Sequence, residues 1–118
     1  MIPESNILAV INNLWIEKFP EGNNAPYPKG LVKRISCVPT REKGRTSSQY
    51  TSRIVIQYYD HDTRSFDGIM GGYLVSVRSI ESDAAVKNVN YINRTDGYDA
   101  KTDKHLMELE FIIKHNII

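Results

Sequence analysis

The chain has 118 residues, with 15 Lys plus Arg against 14 Asp plus Glu and a formal net charge of +1. Hydrophobic residues make up 41% and charged residues 25%, the mix of an ordinary globular domain. This balance excludes a collagen-like chain, a long disordered tail and a strongly basic nucleic-acid binder, and the length fits one domain over residues 1–118 rather than two.

No apolar run approaches the ~20 residues that cross a bilayer, so no membrane partner is expected. The one cysteine, Cys37, cannot form an internal disulfide, which points to a reducing compartment. Met1 to Ser5 lacks the basic start of a secretory leader, and Glu4 precedes the apolar stretch. The expectation is an intracellular product, or one assembled inside a cell.

The first element reads as a helix between a Ser5 cap and a stop at Pro20. Ile7, Leu8, Ile11, Leu14, Trp15 and Lys18 fall on one helical face, and the Ser5 hydroxyl is suited to accept a first-turn amide. Pro26 and Pro28 keep Glu21 to Gly30 as an extended loop. Leu31 to Val38 reads as a strand, with Leu31, Ile35 and Cys37 on one face. Thr51 to Tyr59 reads as a second, in which Ile54, Ile56 and Tyr58 alternate with Arg53, Val55, Gln57 and Tyr59. Between them, Pro39 to Tyr50 is polar and basic, and it is long for a hairpin loop, where two to five residues are usual.

Asp60-His61-Asp62-Thr63 marks a turn, and Asp62, Thr63 and Ser65 are candidate caps for a second helix. This helix carries the strongest periodicity in the chain, through Phe66, Ile69, Met70, Tyr73, Leu74, Val77 and Ile80. Gly71 and Gly72 lie inside it at a cost of about 1 kcal/mol each relative to alanine. Lys87 to Asn93 reads as a third strand, Thr95 to Lys104 as a connection turning at Asp96-Gly97. His105 to His115 reads as a long final strand, with Met107, Leu109, Phe111 and Ile113 opposite Glu108, Glu110 and Lys114.

The order helix, strand, strand, helix, strand, strand predicts an α+β two-layer sandwich. Each helix has one apolar stripe, so both pack on one face of a mostly antiparallel, mixed sheet. The far face then presents Arg53, Gln57, Tyr59, Glu108, Glu110 and Lys114 to water or to another subunit.

No motif for chemistry emerges. Cys37 reads as a small core residue and not as a nucleophile, having no basic neighbour to activate it. His61, His105 and His115 lack the spacing of a zinc motif and read as surface or capping residues. Asp60-His61-Asp62 reads as an acidic helix start. Asp96, Asp99 and Asp103 lack the ligand spacing and closing glutamate of a calcium loop. Gly71-Gly72 lacks the strand-to-helix setting and lysine of a phosphate loop. Glu108 and Glu110, two apart on one strand face, can do acid–base work only in a cleft that raises one pKa. No catalytic residue, metal or cofactor is therefore expected. Arg41, Lys43 and Arg45 make the Pro39 to Tyr50 segment a candidate arm for acidic groups or phosphate, without the aromatic array of a nucleic-acid stacking surface.

Taken together, the N-terminal helix and proline-rich loop, the segment Arg53-Ile54-Val55-Ile56-Gln57-Tyr58-Tyr59-Asp60, the helix start Phe66-Asp67-Gly68-Ile69, the run from Val89 to Gly97 and the final strand His105 to Ile113 resemble the tail terminator and minor-capsid neck proteins of long-tailed bacteriophages. The resemblance spans most of the chain through element order, size and strand pattern, with no diagnostic motif. It implies a non-enzymatic virion protein, assembled in the host cytoplasm. Such a protein forms a homo-oligomeric ring, commonly hexameric, that caps the head-proximal end of the tail tube, stops its growth and meets the head connector. Its implied partners are its own copies, the tail tube protein and head-side connector proteins, with DNA passing through the lumen without specific binding. Arg41, Lys43 and Arg45 on the loop and Arg53, Glu108 and Glu110 on the far face are the candidate contact residues. The alternatives are another head–tail completion or connector protein, and a small intracellular enzyme or ligand-binding α+β domain with a pocket near Asp60 to Asp62 or the two glutamates.

Overall fold

A computed structural model describes residues 3–19, 26–42 and 45–116, with side chains undescribed over residues 40–48. The elements in chain order are α1 (Glu4–Val10), β1 (Leu14–Ile16), β2 (Lys29–Glu42), β3 (Arg45–Asp60), α2 (Phe66–Ser79), a 3-10 turn (Ile80–Ser82), β4 (Val86–Asp99) and β5 (Lys104–His115). The sheet runs β1-β2-β3-β5-β4. β1 and β2 are parallel, and every other neighbouring pair is antiparallel. The fold is the expected α+β arrangement, with one more strand than the sequence suggested.

The extra strand comes from the end of the predicted first helix. Ile7, Ile11 and Leu14 are buried as their spacing demands, but helix spacing is not what buries Leu14. α1 stops at Val10, and Asn13 turns the chain with φ 60°, a left-handed conformation that asparagine tolerates better than most residues. Leu14 to Ile16 then lies along β2, and Glu17, at φ 66°, turns the chain away again. Pro3 holds the N-cap position in place of Ser5, which lies inside the helix. Pro20 falls outside the described residues.

α2 begins where the periodicity places it. Ser65 is its N-cap residue without a capping side-chain bond, because its hydroxyl donates instead to Asp60 Oδ2 at 3.0 Å. Phe66, Val77 and Ile80 are buried beneath the helix, with Ile69, Met70, Tyr73 and Leu74 packed against the same core. Central β3 and β5 supply the floor, through Ile54, Ile56 and Tyr58 and through Met107, Leu109, Phe111 and Ile113. α2 carries the chain from β3 to β4, which run in the same direction but stand apart, with β5 inserted between them.

Gly71 and Gly72 do not serve close packing on the sheet. Both are exposed, and a Cβ at either position meets nothing within 4 Å. Gly71→Ala and Gly72→Ala are each expected to raise stability by about 0.5–1 kcal/mol, read as a higher urea midpoint. A lower midpoint would mean that the bare helix backbone is needed inside the folded monomer.

Two expected loops are strand. Within Pro39 to Tyr50, Pro39 pairs with Tyr50, Arg41 with Thr46 and Glu42 with Arg45, so the segment is a β-ribbon and not an open loop. Beyond the Tyr50–His115 pair no other strand among the described residues flanks this ribbon, which projects by about five residues, about 17 Å at strand rise. The long axis of the molecule reaches 49 Å against 29 and 23 Å for the others, with a radius of gyration of 15.1 Å, above the roughly 13–14 Å of a compact chain this long. Asp96-Gly97 likewise lies within β4. The turn falls later, where Asp99 accepts from the Lys101 N–H at 3.1 Å and the Thr102 hydroxyl at 3.0 Å, and Asp103 takes φ 56°.

β2 carries a bulge between Arg34 and Ser36. The bulge breaks the predicted alternation, since the extra residue shifts everything after it to the opposite face. Cys37 consequently stands opposite Ser52 on the helix side, half-buried, whereas Leu31 stands opposite Gln57 on the other face.

Candidate assembly interface

The candidate contact residues fall into two separate groups. Arg41 and Arg45 belong to the paired backbone of the projecting ribbon. Their side chains, and Lys43 entirely, lie outside the described residues. Arg53 is eight residues farther along β3, about 26 Å at strand rise, and faces away from the helices. There it meets Glu110 of β5 through Nε–Oε1 at 3.1 Å and a second contact from its terminal nitrogen to Oε2 at 3.3 Å. Glu108 is engaged separately, accepting from Gln57 Nε2 at 2.8 Å. The carboxylates expected as a pair thus have different cross-strand partners.

The far face is less polar than its alternation suggests. Leu31 and Tyr59 are buried there, and Val55 and Ile112 are half-buried. One end is roofed by aromatic rings, with Phe19 edge-on to Trp15 at 5.6 Å and to Tyr59 at 6.0 Å. Lys29 lies over Phe19 at 4.4 Å and over Tyr27 at 4.7 Å, and Lys104 lies over Tyr27 at 4.8 Å. This cation–aromatic cluster draws together distant segments that sequence spacing could not associate. Burial, followed by the nearby Asp99 and Glu108 carboxylates, pushes the Tyr59 phenol above its ordinary pKa.

On the helix side the turn after β3 has a structural explanation. Asp60 accepts from the Tyr58 hydroxyl at 2.8 Å, the His61 N–H at 2.6 Å and the Ser65 hydroxyl. Burial, then the bond to Asp60, pushes Tyr58 up to about 12. Asp62 pairs with Arg64 at 2.9 Å, which holds its carboxyl below the usual range. Arg94 of β4 joins the layers, reaching Asp96 at 2.8 Å and Asp67 at the start of α2 at 2.7 Å. Its hydrogen bonds to those two carboxylates raise its own pKa and lower that of Asp96.

His115 is not a surface residue. It is fully buried, with Nε2 2.6 Å from the Ser52 hydroxyl oxygen and its ring stacked on Tyr50 at 6.0 Å. A histidine near the end of a strand gives no sequence signal for this, because Ser52 stands 63 residues earlier. Both side chains are sealed from solvent, so the pair closes the core where the ribbon leaves the sheet.

Open clefts of about 310 and 390 Å³ flank α2. Neither is lined by Asp60, His61, Asp62, Glu108 or Glu110, the residues around which the alternative ligand-binding reading places its pocket. Among the described residues, no group of three or more His, Cys, Asp or Glu side chains is placed to hold a metal ion, and no helix is long and apolar enough to cross a membrane. No protein-family model matches the chain, and no curated protein sequence matches it.

Proposed function

We propose that the chain is a structural assembly protein of the tail-terminator kind. Its copies form a ring at the head-proximal end of a phage tail tube, where the ring stops tube growth and presents a surface to the head connector. The proposal rests on the resemblance of element order and strand pattern, and the observation that supports it best is the projecting β2–β3 ribbon. A domain that extends a two-stranded arm carrying Arg41 and Arg45 beyond its own sheet has the reach to contact a neighbour that a compact domain lacks. The far sheet face, with its Arg53–Glu110 pair, is a second surface for subunit or axial contact. In this reading the protein works in the virion neck, with DNA crossing the ring lumen without specific binding.

The test is addition of purified protein to isolated tail tubes, with tube ends examined by electron microscopy and the mass of the free oligomer measured. Capped ends that no longer elongate are the expected result. Tubes that remain uncapped and keep growing would overturn the proposal.

A further inference from the structure

The outer side of a surface helix normally carries charged and polar residues. On α2 the fully exposed residues between Asp67 and Arg78 are Gly68, Gly71, Gly72 and Val75, none of them with a polar side chain. Val75 is 73% exposed, the most of any large apolar side chain among the described residues. The patch continues onto Val10 of α1, which is 43% exposed and shares the 390 Å³ cleft with Gly68 and Gly72. Nothing inside the monomer calls for the glycines. They lie in regular helix, and a Cβ at any of the three meets nothing within 4 Å.

This face is complementary to itself in shape and in charge. Gly68, Gly71, Gly72 and Val75 stand at i, i+3, i+4 and i+7, the four positions that frame a hole for one side chain of a facing helix. With glycine at three of them the hole is open down to the backbone and admits a branched side chain at close helix approach. The two ends of the face carry opposite charges. Asp67 is 94% exposed and gives only Oδ1 to Arg94, so Oδ2 has no partner among the described residues. Arg78 is exposed and makes no ion pair among the described residues. From Asp67 to Arg78 the helix makes about three turns, so the two lie on one flank, about 16 Å apart.

We infer that two copies of this chain pair through α2, antiparallel about a twofold axis, with Val75 of each seated on Gly68, Gly71 and Gly72 of the other. The axis passes at the level of Gly72 and Tyr73, midway between Asp67 and Arg78. It sets Asp67 of each copy level with Arg78 of the other. A twofold axis of this kind keeps the flanks aligned, so Oδ2 and the guanidinium meet at both ends of the contact. The same axis sets Val75 of one copy level with Met70 of the other, about 2 Å along the helix from the centre of the hole. A parallel pair would set like charges side by side, which is unfavourable, so charge selects the antiparallel one. The contact uses the same patch on both partners. It closes on two copies, or on two rings laid face to face, and so stands apart from the ring reading above.

The test reads the mass of the purified protein by sedimentation. Asp67→Lys and Arg78→Asp each put like charges at both ends of the contact, and each alone is expected to weaken pairing by about tenfold or more. An equimolar mixture is expected to regain the wild-type mass. There the introduced lysine of one variant faces the introduced aspartate of the other, and the untouched Asp67 faces the untouched Arg78. Gly71→Leu fills the hole and leaves every charge in place. It is expected to halve the mass of the free oligomer, with a urea midpoint in dilute solution no lower than that of the wild type, since the space over Gly71 is open in the monomer. An unchanged mass for Gly71→Leu would overturn the inference, as would a mixture that stays as dissociated as its parts or a wild-type chain that remains monomeric. The Gly71→Leu measurement decides the matter even if Asp67→Lys, which gives up the bond to Arg94, fails to fold.

Discussion

Replacing Glu4 with leucine is expected to destabilise the chain by about 3–5 kcal/mol, the usual consequence of removing one member of a buried ion pair. Glu4 lies in the first turn of α1, is fully buried and meets the Arg34 guanidinium of β2 at 2.7 Å. Its second carboxylate oxygen is buried without a hydrogen-bond partner among the described residues, so the pair carries a large desolvation cost. Truncating either side chain leaves a charge in a site built for two. Leucine at both positions removes both charges, and the double variant is expected to lose less stability than either single one. Urea unfolding of the three variants checks this. Single-variant losses under about 1 kcal/mol would mean that water reaches the pair in solution.

Phe66→Ala has an expected cost of similar size, about 3–5 kcal/mol. The ring is fully buried at the first residue of α2, edge-on to Tyr58 at 5.8 Å, with the Arg94 guanidinium over it at 5.9 Å. Its loss empties the point where the helix, β3 and β4 meet. Phe66→Leu retains most of the volume and is expected to cost under about 1.5 kcal/mol. Equal losses for the two variants would show that the aromatic contacts, and not the filled volume, fix the helix start.

The parts of the fold legible in the sequence are those where one face is buried and the other wet. Ile54, Ile56 and Tyr58 in β3, Met107 to Ile113 in β5 and the stripe from Phe66 to Ile80 all have that property, so their periods survive. β1 escaped notice because Ile7, Ile11 and Leu14 suit one helix as well as a short helix followed by a strand. The Asn12-Asn13 pair was the available signal, since asparagine is a poor helix former and a good left-handed residue. The ribbon from Pro39 to Tyr50 gives no strand signal for the opposite reason: its sequence is polar from Thr40 to Gln49 and shows no apolar period. For the candidate interface, alternation placed Arg53, Glu108 and Glu110 on the outer face. Pairing Arg53 with Glu110 and Gln57 with Glu108 needs the β3–β5 neighbourhood, which a local pattern cannot convey. The exposed Ile35 and Ile92 depend on single-residue register shifts, for which composition has no mark.

The placement of β5 between β3 and β4 constrains synthesis on the ribosome. The strand that emerges last of the five is not an edge strand but an interior one. Until it arrives, a nascent chain can close the β2–β3 hairpin, which is local, but it leaves one side of β3 bare and β4 with no neighbour at all. Pairing of β3 with β5 spans up to 65 residues, from Tyr50 to His115, and such distant contacts form slowly because a long loop must close first. The unfinished chain therefore offers naked strand edges to its surroundings during translation, the interval in which aggregation or capture by a chaperone competes most strongly with folding.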